Sequence, residues 1–341
     1  MATMKRPSAA VLKRPASKQR VAASPASYLR ADEQPKGNFT LVKYDVATAD
    51  AGSAPLRNFP STGSLAERPF HVWLPEFYSH DEDGERYAVL YMHDGQNLFE
   101  KEMTAFGTTW GVPETLPQLI AEGSIRKTIV VGVFNSPTRF RDYVPAPVVE
   151  RLDAATREKL LAQEKYCGAP LSQGYASFVV EELKPFIDAS FRTKPDRDNT
   201  FIMGSSMGGL ISLYTLSLYP DVFAGAGCVS THWPLTIDDQ ILEDSTTNGW
   251  FDAVSKAFEG FLQEAIPVVR PGVAPHRWWF DYGSEHLDYY YEPYQKRADA
   301  IMLQKGYVEG KDVISKSYPG AGHNEGSWAA RFRDPLVFLL A

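Results

Sequence analysis

The segment Gly204–Gly208, Gly-Ser-Ser-Met-Gly, restricts the fold of this chain more than any other feature. The β-branched and apolar residues Thr200–Met203 precede it and are typical of a buried strand, and Gly209–Leu218 has the apolar pattern of a helix. A serine between two glycines in this context predicts a sharp strand-to-helix turn with Ser206 at the helix N-terminus. Glycine is expected at both ends of the motif, because a Cβ there would collide across the turn.

The same motif predicts the chemistry of the site. A serine on such a strained turn is the nucleophile of the α/β hydrolases, and the backbone N–H of Met207 is placed to bind a developing oxyanion. The pattern fits Ser206 alone, because a motif centred on Ser205 would need glycine at positions 203 and 207, where methionine stands. We therefore predict a serine hydrolase.

Eight short runs rich in β-branched and aromatic residues predict strands. They are Phe39–Val46, Phe70–Leu74, Tyr87–Met92, Thr128–Phe134, Thr200–Met203, Ala224–Val229, Trp278–Tyr282 and Val313–Tyr318. Helical patterns separate the later runs, among them Phe178–Phe186, Trp250–Phe261 and Tyr290–Leu303. This alternation predicts an α/β fold, the α/β-hydrolase fold, with a mostly parallel sheet, helices on both faces and antiparallel strands near the start.

Composition divides the chain into a tail and a body. Residues 1–36 are rich in Ala, Ser, Pro, Lys and Arg and lack a periodic apolar pattern, which predicts a disordered basic tail. Residues 37–341 predict a single α/β-hydrolase domain. Within it, residues 135–173 carry prolines and a charged stretch, and we predict an insertion that could overhang the site as a lid.

Charge is distributed unevenly between the two parts. The net charge is −7 overall, and residues 1–30 hold seven basic residues and no acid, which leaves −14 for the rest. An acidic body argues against nucleic acid as the main partner. No apolar run is long enough to span a bilayer, so the sequence predicts a soluble protein without membrane contact. The oligomeric state is left open.

The terminal segment and the cysteines bear on location and on metals. Residues 1–36 lack the apolar region of a secretory signal, so we predict a cytoplasmic protein, with import into an organelle through the basic segment as the alternative. The two cysteines, Cys167 and Cys228, do not form a CxxC pair, which excludes a cysteine-based zinc site. Cys228 lies in an apolar stretch and is expected to be buried.

A serine nucleophile needs a histidine base, and the order in this fold is serine, acid, histidine. His323 follows the last predicted strand in a glycine-rich loop, which is the expected position of the base. Three carboxylates follow the penultimate strand. Asp281 still belongs to the strand and is expected to have a structural role, whereas Asp288 is the favoured acid and Glu285 the reserve.

Two further groups of candidates complete the predicted site. The loop after the third predicted strand supplies a second oxyanion donor, the N–H of Gly95 or Gln96. Asp94 in the same loop is expected to turn its carboxylate away from the oxyanion. Large aromatic side chains are candidates for the walls of a substrate pocket. These candidates are Trp233, Trp110 and Trp328.

Five stretches together carry a family resemblance. They read MHDGQNLF, GSSMGGLISLY, CVSTHWP, FDYGS followed by LDYYYEPYQ, and GAGHNEGSW. They resemble the esterase D-like family, which includes enterochelin-esterase-like proteins, feruloyl and acetyl-xylan esterases and S-formylglutathione hydrolases, and the likeness runs from about residue 68 to 341. Many members carry aspartate where this chain has His286, so the resemblance transfers the acid to Asp288.

The resemblance implies an ester hydrolase without a cofactor. Ser206 falls on the nucleophile, His323 on the base, and the turn at Gly95 on the oxyanion loop. The expected reaction is acyl transfer through an acyl-enzyme on a small-molecule or carbohydrate-linked ester. An acyltransferase or a thioesterase on the same fold is the first alternative, and a non-catalytic binding module is the second.

Overall fold

The computed structural model of this chain describes residues 31–35, 39–44, 68–81, 84–105, 107–244 and 247–341. These residues form nine strands: β1 Ala31–Pro35, β2 Phe39–Tyr44, β3 Phe70–Pro75, β4 Ala88–His93, β5 Thr128–Val133, β6 Thr200–Ser205, β7 Gly225–Val229, β8 Arg277–Gly283 and β9 Val313–Tyr318. All eight predicted strands are present, with described ends within two residues of the prediction. Asp45 and Val46 lie outside the described residues.

The same described ranges contain twelve α-helices. They are α1 Val112–Ala121, α2 Arg139–Tyr143, α3 Ala146–Arg151, α4 Ala154–Ala162, α5 Ser172–Ser177, α6 Lys184–Ser190, α7 Met207–Leu218, α8 Asp239–Glu243, α9 Trp250–Ala265, α10 Glu292–Gln304, α11 Glu325–Arg331 and α12 Arg333–Leu340. A π-helical segment, Phe178–Leu183, joins α5 to α6, so the predicted helix there begins earlier and ends later than its apolar pattern.

The strands form a single sheet with the order β1-β2-β3-β5-β4-β6-β7-β8-β9. Strands β1, β2 and β3 pair antiparallel, as does β3 with β5, and every pairing from β5 to β9 is parallel. The α/β-hydrolase fold and its antiparallel start are thus confirmed. The parallel strands bring their carboxyl ends to one edge of the sheet, which is where ligands bind in open α/β sheets.

Both faces of the sheet are buried, as expected of parallel strands between helices. Alternate residues of β4 belong to different apolar clusters: Val89 and Tyr91 pack with residues of α7, α9 and α10, whereas Leu90 and Met92 pack with residues of α1 and α12. Cys228 of β7 is buried, as predicted. The sheet is therefore a rigid middle layer that holds the loops at its carboxyl edge.

The predicted tail is too long at its C-terminal end. Ala31–Pro35 pair with β2 from Ala31 opposite Tyr44 to Pro35 opposite Thr40. Their sequence, Ala-Asp-Glu-Gln-Pro, lacks the apolar alternation that predicts a strand. An edge strand can pair through its backbone hydrogen bonds alone, so this strand has no sequence pattern that predicts it. Residues 1–30 and 36 lie outside the described residues.

The insertion at residues 135–173 forms the short helices α2, α3 and α4, with a 3₁₀ turn at Glu164–Tyr166. Its buried side chains Tyr143, Val148 and Leu160 belong to the same apolar cluster as α7 and α9. The Tyr166 hydroxyl lies 3.5 Å from Met207 Sδ, directly after the motif serine. The insertion thus packs as a helical layer that reaches the carboxyl edge of the sheet.

Candidate active site

Ser206 forms the turn between β6 and α7. Its φ of 58° and ψ of −121° lie in a region that L-residues rarely adopt, so the backbone is strained at this residue. The strain is held by flanking hydrogen bonds: Ser206 N–H donates to Val229 O at 2.9 Å, and Gly209 N–H donates to Ser206 O at 3.0 Å. Ser206 is 9% exposed. The predicted strand–serine–helix turn is present.

The glycines of this turn have different roles. A Cβ at Gly204 would lie 2.9 Å from the backbone of Gly208, so glycine is required there, as predicted. The same expectation is wrong for Gly208, where a Cβ would meet its nearest atoms at 3.5 Å, an ordinary contact. The tight position is instead Gly209, where a Cβ would lie 2.9 Å from Thr231 Oγ1, because α7 packs closely on the loop after β7.

The structure brings His323 and Asp288 into direct contact. His323 Nδ1 lies 2.6 Å from Asp288 Oδ1, and the Asp288 side chain is fully buried while 12% of the His323 side chain is exposed. His323 lies between β9 and α11, and Asp288 lies in the 3₁₀ turn after β8. The two loops touch closely at Gly283, where a Cβ would lie 2.0 Å from Ala321 O. A glycine is therefore needed for the contact.

Asp288 is held in an ionised state by several donors. Its Oδ2 accepts hydrogen bonds from Gly283 N–H at 2.7 Å and from Ser230 Oγ at 2.5 Å. Burial opposes ionisation, but the hydrogen bond and the charge of His323, with the Ser230 and Gly283 donors, outweigh it and lower the pKa of Asp288. Trp328 Nε1 and Arg331 Nη2 in turn fix Ser230 Oγ, at 3.0 and 2.7 Å.

The other two candidate acids lie elsewhere. Asp281 is buried, pairs with Arg331 at 2.9 Å and accepts from Trp279 Nε1 at 2.7 Å. The expectation of a structural role for Asp281 is confirmed. Glu285 is exposed, and its side chain accepts from Ser284 Oγ at 3.4 Å. Neither carboxylate has a described contact with His323.

The loop after β4 turns at Asp94, which has a φ of 57°, and continues as a 3₁₀ turn over Gly95–Asn97. The Asp94 carboxylate accepts two bonds from Arg139, Nε to Oδ1 and Nη2 to Oδ2, each 2.7 Å, and one from Asn135 Nδ2 at 2.7 Å. Burial raises the pKa of Asp94. The charge and hydrogen bond of Arg139, together with the hydrogen bond from Asn135, outweigh burial, so the pKa of Asp94 is lowered. The Asp94 carboxylate is thus paired with Arg139, and its turn away from the oxyanion stays a prediction.

Three backbone N–H groups near this edge are without an acceptor in the described ranges. The N–H groups of Gly95, Gln96 and Met207 donate neither to a backbone carbonyl nor to a side chain of the described residues. Gly95 is enclosed as well, because a Cβ there would lie 2.5 Å from the backbone of Gly132. The sequence predicts the oxyanion donors among these groups, Met207 with either Gly95 or Gln96.

The predicted aromatic wall is wrong for Trp233. Its ring is 1% exposed and packs against Phe258 and Phe280, and its Nε1 donates to Gln295 Oε1 at 2.9 Å. Trp233 is a core residue, because the loop after β7 folds back under α9 and α10. The exposed surface of the site does not include it.

The other two tryptophans form a pair beside the base. Trp328 stands edge-on to His323, with ring centroids 5.1 Å apart, and Trp110 packs behind it at 5.7 Å. Trp110 and Trp328 are 3% and 6% exposed. Trp328 therefore contacts the base and Ser230, while Trp110 packs behind Trp328 in the core. A role of these two rings as walls of a substrate pocket stays a prediction.

Two buried residues near the nucleophile escaped the sequence analysis. Tyr291 and His232 bond through the Tyr291 hydroxyl and His232 Nδ1 at 2.8 Å. Tyr291 is fully buried, and His232 is 1% exposed. The aromatic run Tyr289–Tyr291 directly after Asp288 is the signal that could have pointed to the first of them.

The described ranges hold neither a cluster of metal ligands nor a membrane-spanning helix. No set of three or more His, Cys, Asp and Glu side chains there is grouped to bind a metal ion. In the same residues, no helix has the length and apolar character needed to cross a bilayer.

A pH-dependent stability is expected from His93 at the end of β4. Burial lowers the pKa of His93 to about 3, whereas an unfolded histidine titrates near 6.5. Between these values the unfolded state binds the extra proton, so the free energy of unfolding falls as pH falls, by up to about 1.4 kcal/mol per pH unit. We expect His93→Asn to remove this contribution in urea unfolding between pH 6 and 4.

The control for this measurement is His80→Gln, at an exposed position. It should keep the slope of the wild-type protein. Equal slopes in His93→Asn and wild type would contradict the assignment of a buried, neutral His93.

With this geometry in place, the fold and the site define a serine hydrolase of the α/β type. The model of the family described as "Putative esterase" matches residues 62–339, so the chain belongs to that family. It is an esterase, an enzyme that hydrolyses carboxylic esters, and the predicted family resemblance is confirmed.

Individual relatives are distant in sequence. The uncharacterized protein YbbA of Bacillus subtilis is 22% identical over 288 residues, covering 81% of this chain and 96% of its own length. An endo-1,4-beta-xylanase/feruloyl esterase of Xylanibacter ruminicola is 28% identical over 183 residues, 52% of this chain and 22% of that protein. The siderophore hydrolase EstA of Aspergillus nidulans has a similar fold, with a TM-score of 0.51 at 17% identity, covering 88% and 95% of the two chains.

Proposed function

We propose that this esterase works through a catalytic triad of Ser206, His323 and Asp288, with an acyl-enzyme intermediate. The observation that carries the proposal is the 2.6 Å hydrogen bond between His323 Nδ1 and Asp288 Oδ1 at the sheet edge that also holds the strained serine turn. Tyr291 adds support, because its hydroxyl lies 3.4 Å from His323 Nδ1 and its N–H donates to Asp288 O at 3.0 Å. One buried residue thus contacts both the proposed base and the proposed acid.

Each group has a defined step in the reaction. Asp288 fixes the proton of His323 on Nδ1, which leaves Nε2 as the basic nitrogen. His323 takes the Ser206 proton as Oγ attacks the ester carbonyl, and then gives that proton to the leaving alcohol. Water, activated by His323 in turn, attacks the acyl-enzyme and releases the acid. The ionised state of Asp288 stabilises the imidazolium that forms in both steps.

The oxyanion is assigned to the free donors at the same edge. Met207 N–H lies next to the nucleophile at the start of α7, where the helix dipole also favours negative charge. Gly95 or Gln96 N–H supplies the second donor from the loop held by Arg139. Donors fixed in advance cost no reorganisation when the charge develops, which makes such a hole one of the larger contributions to catalysis.

The proposed substrate is a small or carbohydrate-linked ester. The support is the similarity of 183 residues to a protein named endo-1,4-beta-xylanase/feruloyl esterase. His323 and Arg139 are partly exposed at this edge, with 12% and 22% of their side chains accessible.

A panel of substrates tests this function. The panel contains p-nitrophenyl acetate, butyrate and octanoate, methyl ferulate and an S-acyl thioester, each measured with and without methanol as an acceptor. We expect turnover of oxygen esters, with hydrolysis as the main outcome. Thioester turnover far above all oxygen esters, or acyl transfer to methanol as the main outcome, would instead favour a thioesterase or an acyltransferase.

Arg139 is expected to act through the oxyanion loop. Arg139→Lys keeps the charge but cannot make two parallel bonds to Asp94, so the turn at Gly95 should loosen. We expect kcat on the best ester to fall by about tenfold or more, with a smaller change in KM, because one oxyanion donor is misplaced.

The matched control is Arg141→Lys, two residues away on α2, where the guanidinium Nε donates to Ala169 O at 3.0 Å. It should change kcat by less than twofold. An Arg139→Lys enzyme with the kinetics of wild type would show that Asp94 does not need this clamp.

A further inference from the structure

Ser230 follows β7 at the carboxyl edge of the sheet and is fully buried. Its φ of 40° lies in the left-handed region that favours glycine, so a serine there strains the backbone. The strained residue is held by its N–H, which donates to Asp281 Oδ1 at 3.1 Å. A buried polar side chain at a position that favours glycine indicates a role for its hydroxyl.

The three contacts of this hydroxyl fix the direction of its proton. Its Oγ lies 2.7 Å from Arg331 Nη2, 3.0 Å from Trp328 Nε1 and 2.5 Å from Asp288 Oδ2. The guanidinium and the indole can only donate, so Oγ accepts a hydrogen bond from each of them. An ionised carboxylate can only accept. The hydroxyl proton of Ser230 therefore points to Asp288 Oδ2.

Arg331 lies close to the proposed acid without a hydrogen bond to it. Its Nη2 is 3.8 Å from Asp288 Oδ2, which is beyond the range of a hydrogen bond. The same nitrogen is 2.9 Å from Asp281 Oδ1, and Arg331 Nε is 3.2 Å from that oxygen. The Ser230 hydroxyl bonds both the guanidinium and Asp288. Arg331 is thus paired with Asp281, and Asp288 stays available to the base.

The partners of Asp281 favour its ionised form. Burial raises the pKa of Asp281, but the described partners of its carboxylate all donate hydrogen bonds. They are Arg331, Trp279 Nε1 and the Ser230 N–H. A proton on the carboxyl group would find no acceptor among them, so these donors stabilise the carboxylate. Arg331 and Asp281 therefore form a neutral pair beside the proposed acid.

Other ionisable groups also lie near the base. Besides Asp288, they are the buried His232, Tyr291 and Tyr318, the partly exposed Arg139 and the exposed His286. Burial lowers the pKa of the first and raises the pKa of both tyrosines, so these three are neutral. Arg139 is paired with Asp94, and His286 lies against Gly322. None of these groups is altered in the variants below.

We propose that Ser230 is a positioning residue whose hydroxyl holds Asp288 Oδ2 and, with the neutral pair, keeps Arg331 from pairing with the acid. This inference rests on the proposed esterase mechanism. With Oδ2 bonded by Ser230 and by the Gly283 N–H, Asp288 Oδ1 is left to accept from His323 Nδ1.

The charge of the acid is what this arrangement preserves. Asp288 stabilises the imidazolium that forms when His323 takes the serine proton. A direct, charge-assisted bond from Arg331 would offset that charge and draw the carboxylate away from the base. A neutral hydroxyl in the same place bonds the carboxylate without adding a positive charge. Ser230 thus orients the acid and leaves its charge to the base.

The first test is Ser230→Ala, which removes the hydroxyl and keeps the neutral pair. We expect kcat on the best ester of the panel to fall by about tenfold or more, because the acid loses a charge-assisted hydrogen bond and is opened to Arg331. KM should stay within about twofold, since Ser230 is buried beneath the acid. Labelling by a fluorophosphonate should slow by the same factor as kcat, because it also needs His323 to accept the serine proton.

Thr231→Val is the matched control. It removes a hydroxyl from the next residue, which is equally buried and whose Oγ1 donates to Cys228 O at 2.9 Å. We expect its kcat and its labelling rate to stay within about twofold of wild type, with a loss of thermal stability like that of Ser230→Ala. Wild-type kcat in Ser230→Ala, or an equal loss of kcat in Thr231→Val, would overturn the positioning role.

The neutral pair is tested by the pH profile of kcat/KM. Activity falls at low pH because the protonated base cannot accept the serine proton. Asp281→Asn leaves the charge of Arg331 uncompensated, which disfavours the imidazolium, so the acid limb should move to lower pH by about half a unit or more. In Asp281→Asn/Arg331→Met both charges are absent, and the acid limb should return to within about 0.2 units of wild type.

The outcomes separate this inference from the proposed function. A wild-type acid limb in Asp281→Asn, or one that the second substitution leaves displaced, would overturn the role of the neutral pair, because support of the fold alone would not move the limb in both directions. If thermal unfolding shows that Asp281→Asn does not fold, Ser230→Ala and its control decide the proposal. These results leave the esterase mechanism intact, whereas a wild-type protein that hydrolyses none of the esters would overturn the proposed function and this inference with it.

Discussion

Replacement of Ser206 by alanine is expected to lower kcat for ester hydrolysis by about 10⁴- to 10⁶-fold, the loss typical of removing a serine nucleophile. Without Oγ an acyl-enzyme cannot form, and only the oxyanion donors and substrate binding remain to assist direct attack by water. KM should change little, because the substrate contacts are kept. The measurement is steady-state hydrolysis of the best ester of the panel with highly purified variant, so that traces of wild-type enzyme do not set the residual rate.

Ser205→Ala is the matched control for this variant. Ser205 is the last residue of β6, is buried, and directly precedes Ser206 in the chain. We expect its kcat to stay within about threefold of wild type and both variants to unfold at similar temperatures. Near-normal turnover by Ser206→Ala, or a larger loss in Ser205→Ala, would refute the assignment of the nucleophile.

Asp288→Asn is expected to lower kcat by about 10⁴-fold, because an amide permits the wrong histidine tautomer. Asparagine can donate to His323 Nδ1 through its NH₂ group, which would place the histidine proton on Nε2 and remove the base. The loss should be as large in the labelling rate as in hydrolysis, since both need His323 to accept the serine proton. Stopped-flow labelling with a fluorophosphonate and steady-state hydrolysis measure the two rates.

Glu285→Gln removes a carboxylate three residues earlier in the same loop and is the control. Glu285 is exposed and has no described contact with His323, so kcat should change by less than twofold. A large effect at Glu285 with a small one at Asp288 would exchange the two roles. Thermal unfolding of Asp288→Asn checks that the loss is not caused by the buried donors Ser230 and Gly283 being left without a charged partner.

Much of the site could be predicted because its signals are local in the chain. The turn at Ser206 is encoded by the strand before it, which contains Gly204, and by the helix after it. The loop of His323 is marked by its glycines and by its place after the last strand. In a parallel sheet the carboxyl ends of the strands meet at one edge, so the order of the strands was enough to expect these loops to approach one another.

The remaining features depend on contacts between distant parts of the chain. The clamp of Arg139 on Asp94 joins residues 45 positions apart, and the pair of His232 and Tyr291 joins residues 59 positions apart. No local pattern specifies such pairs. Trp233 is a wrong prediction with the same origin. A tryptophan in a loop after a strand has the same local sequence whether it faces a pocket or the core, and the packing of α9 and α10 decides which of the two it faces.

The error at Gly208 has a similar origin. The motif predicts a crowded turn, but the crowding depends on which neighbours pack on each side of it. Gly204 faces the backbone of the same turn, so its need for glycine follows from local geometry. Gly209 faces Thr231, which a different strand and loop bring into place, so its need for glycine was not visible in the motif.

The most direct test of the central claim is to locate the residue that reacts as the nucleophile. The protein is treated with a fluorophosphonate, digested, and mapped by mass spectrometry with fragmentation that separates Ser205 from Ser206. We expect one adduct per chain on Ser206 in the wild type, none in Ser206→Ala, and labelling slowed by several powers of ten in His323→Ala. An adduct on another residue, or a wild-type protein that hydrolyses esters without being labelled, would contradict the account.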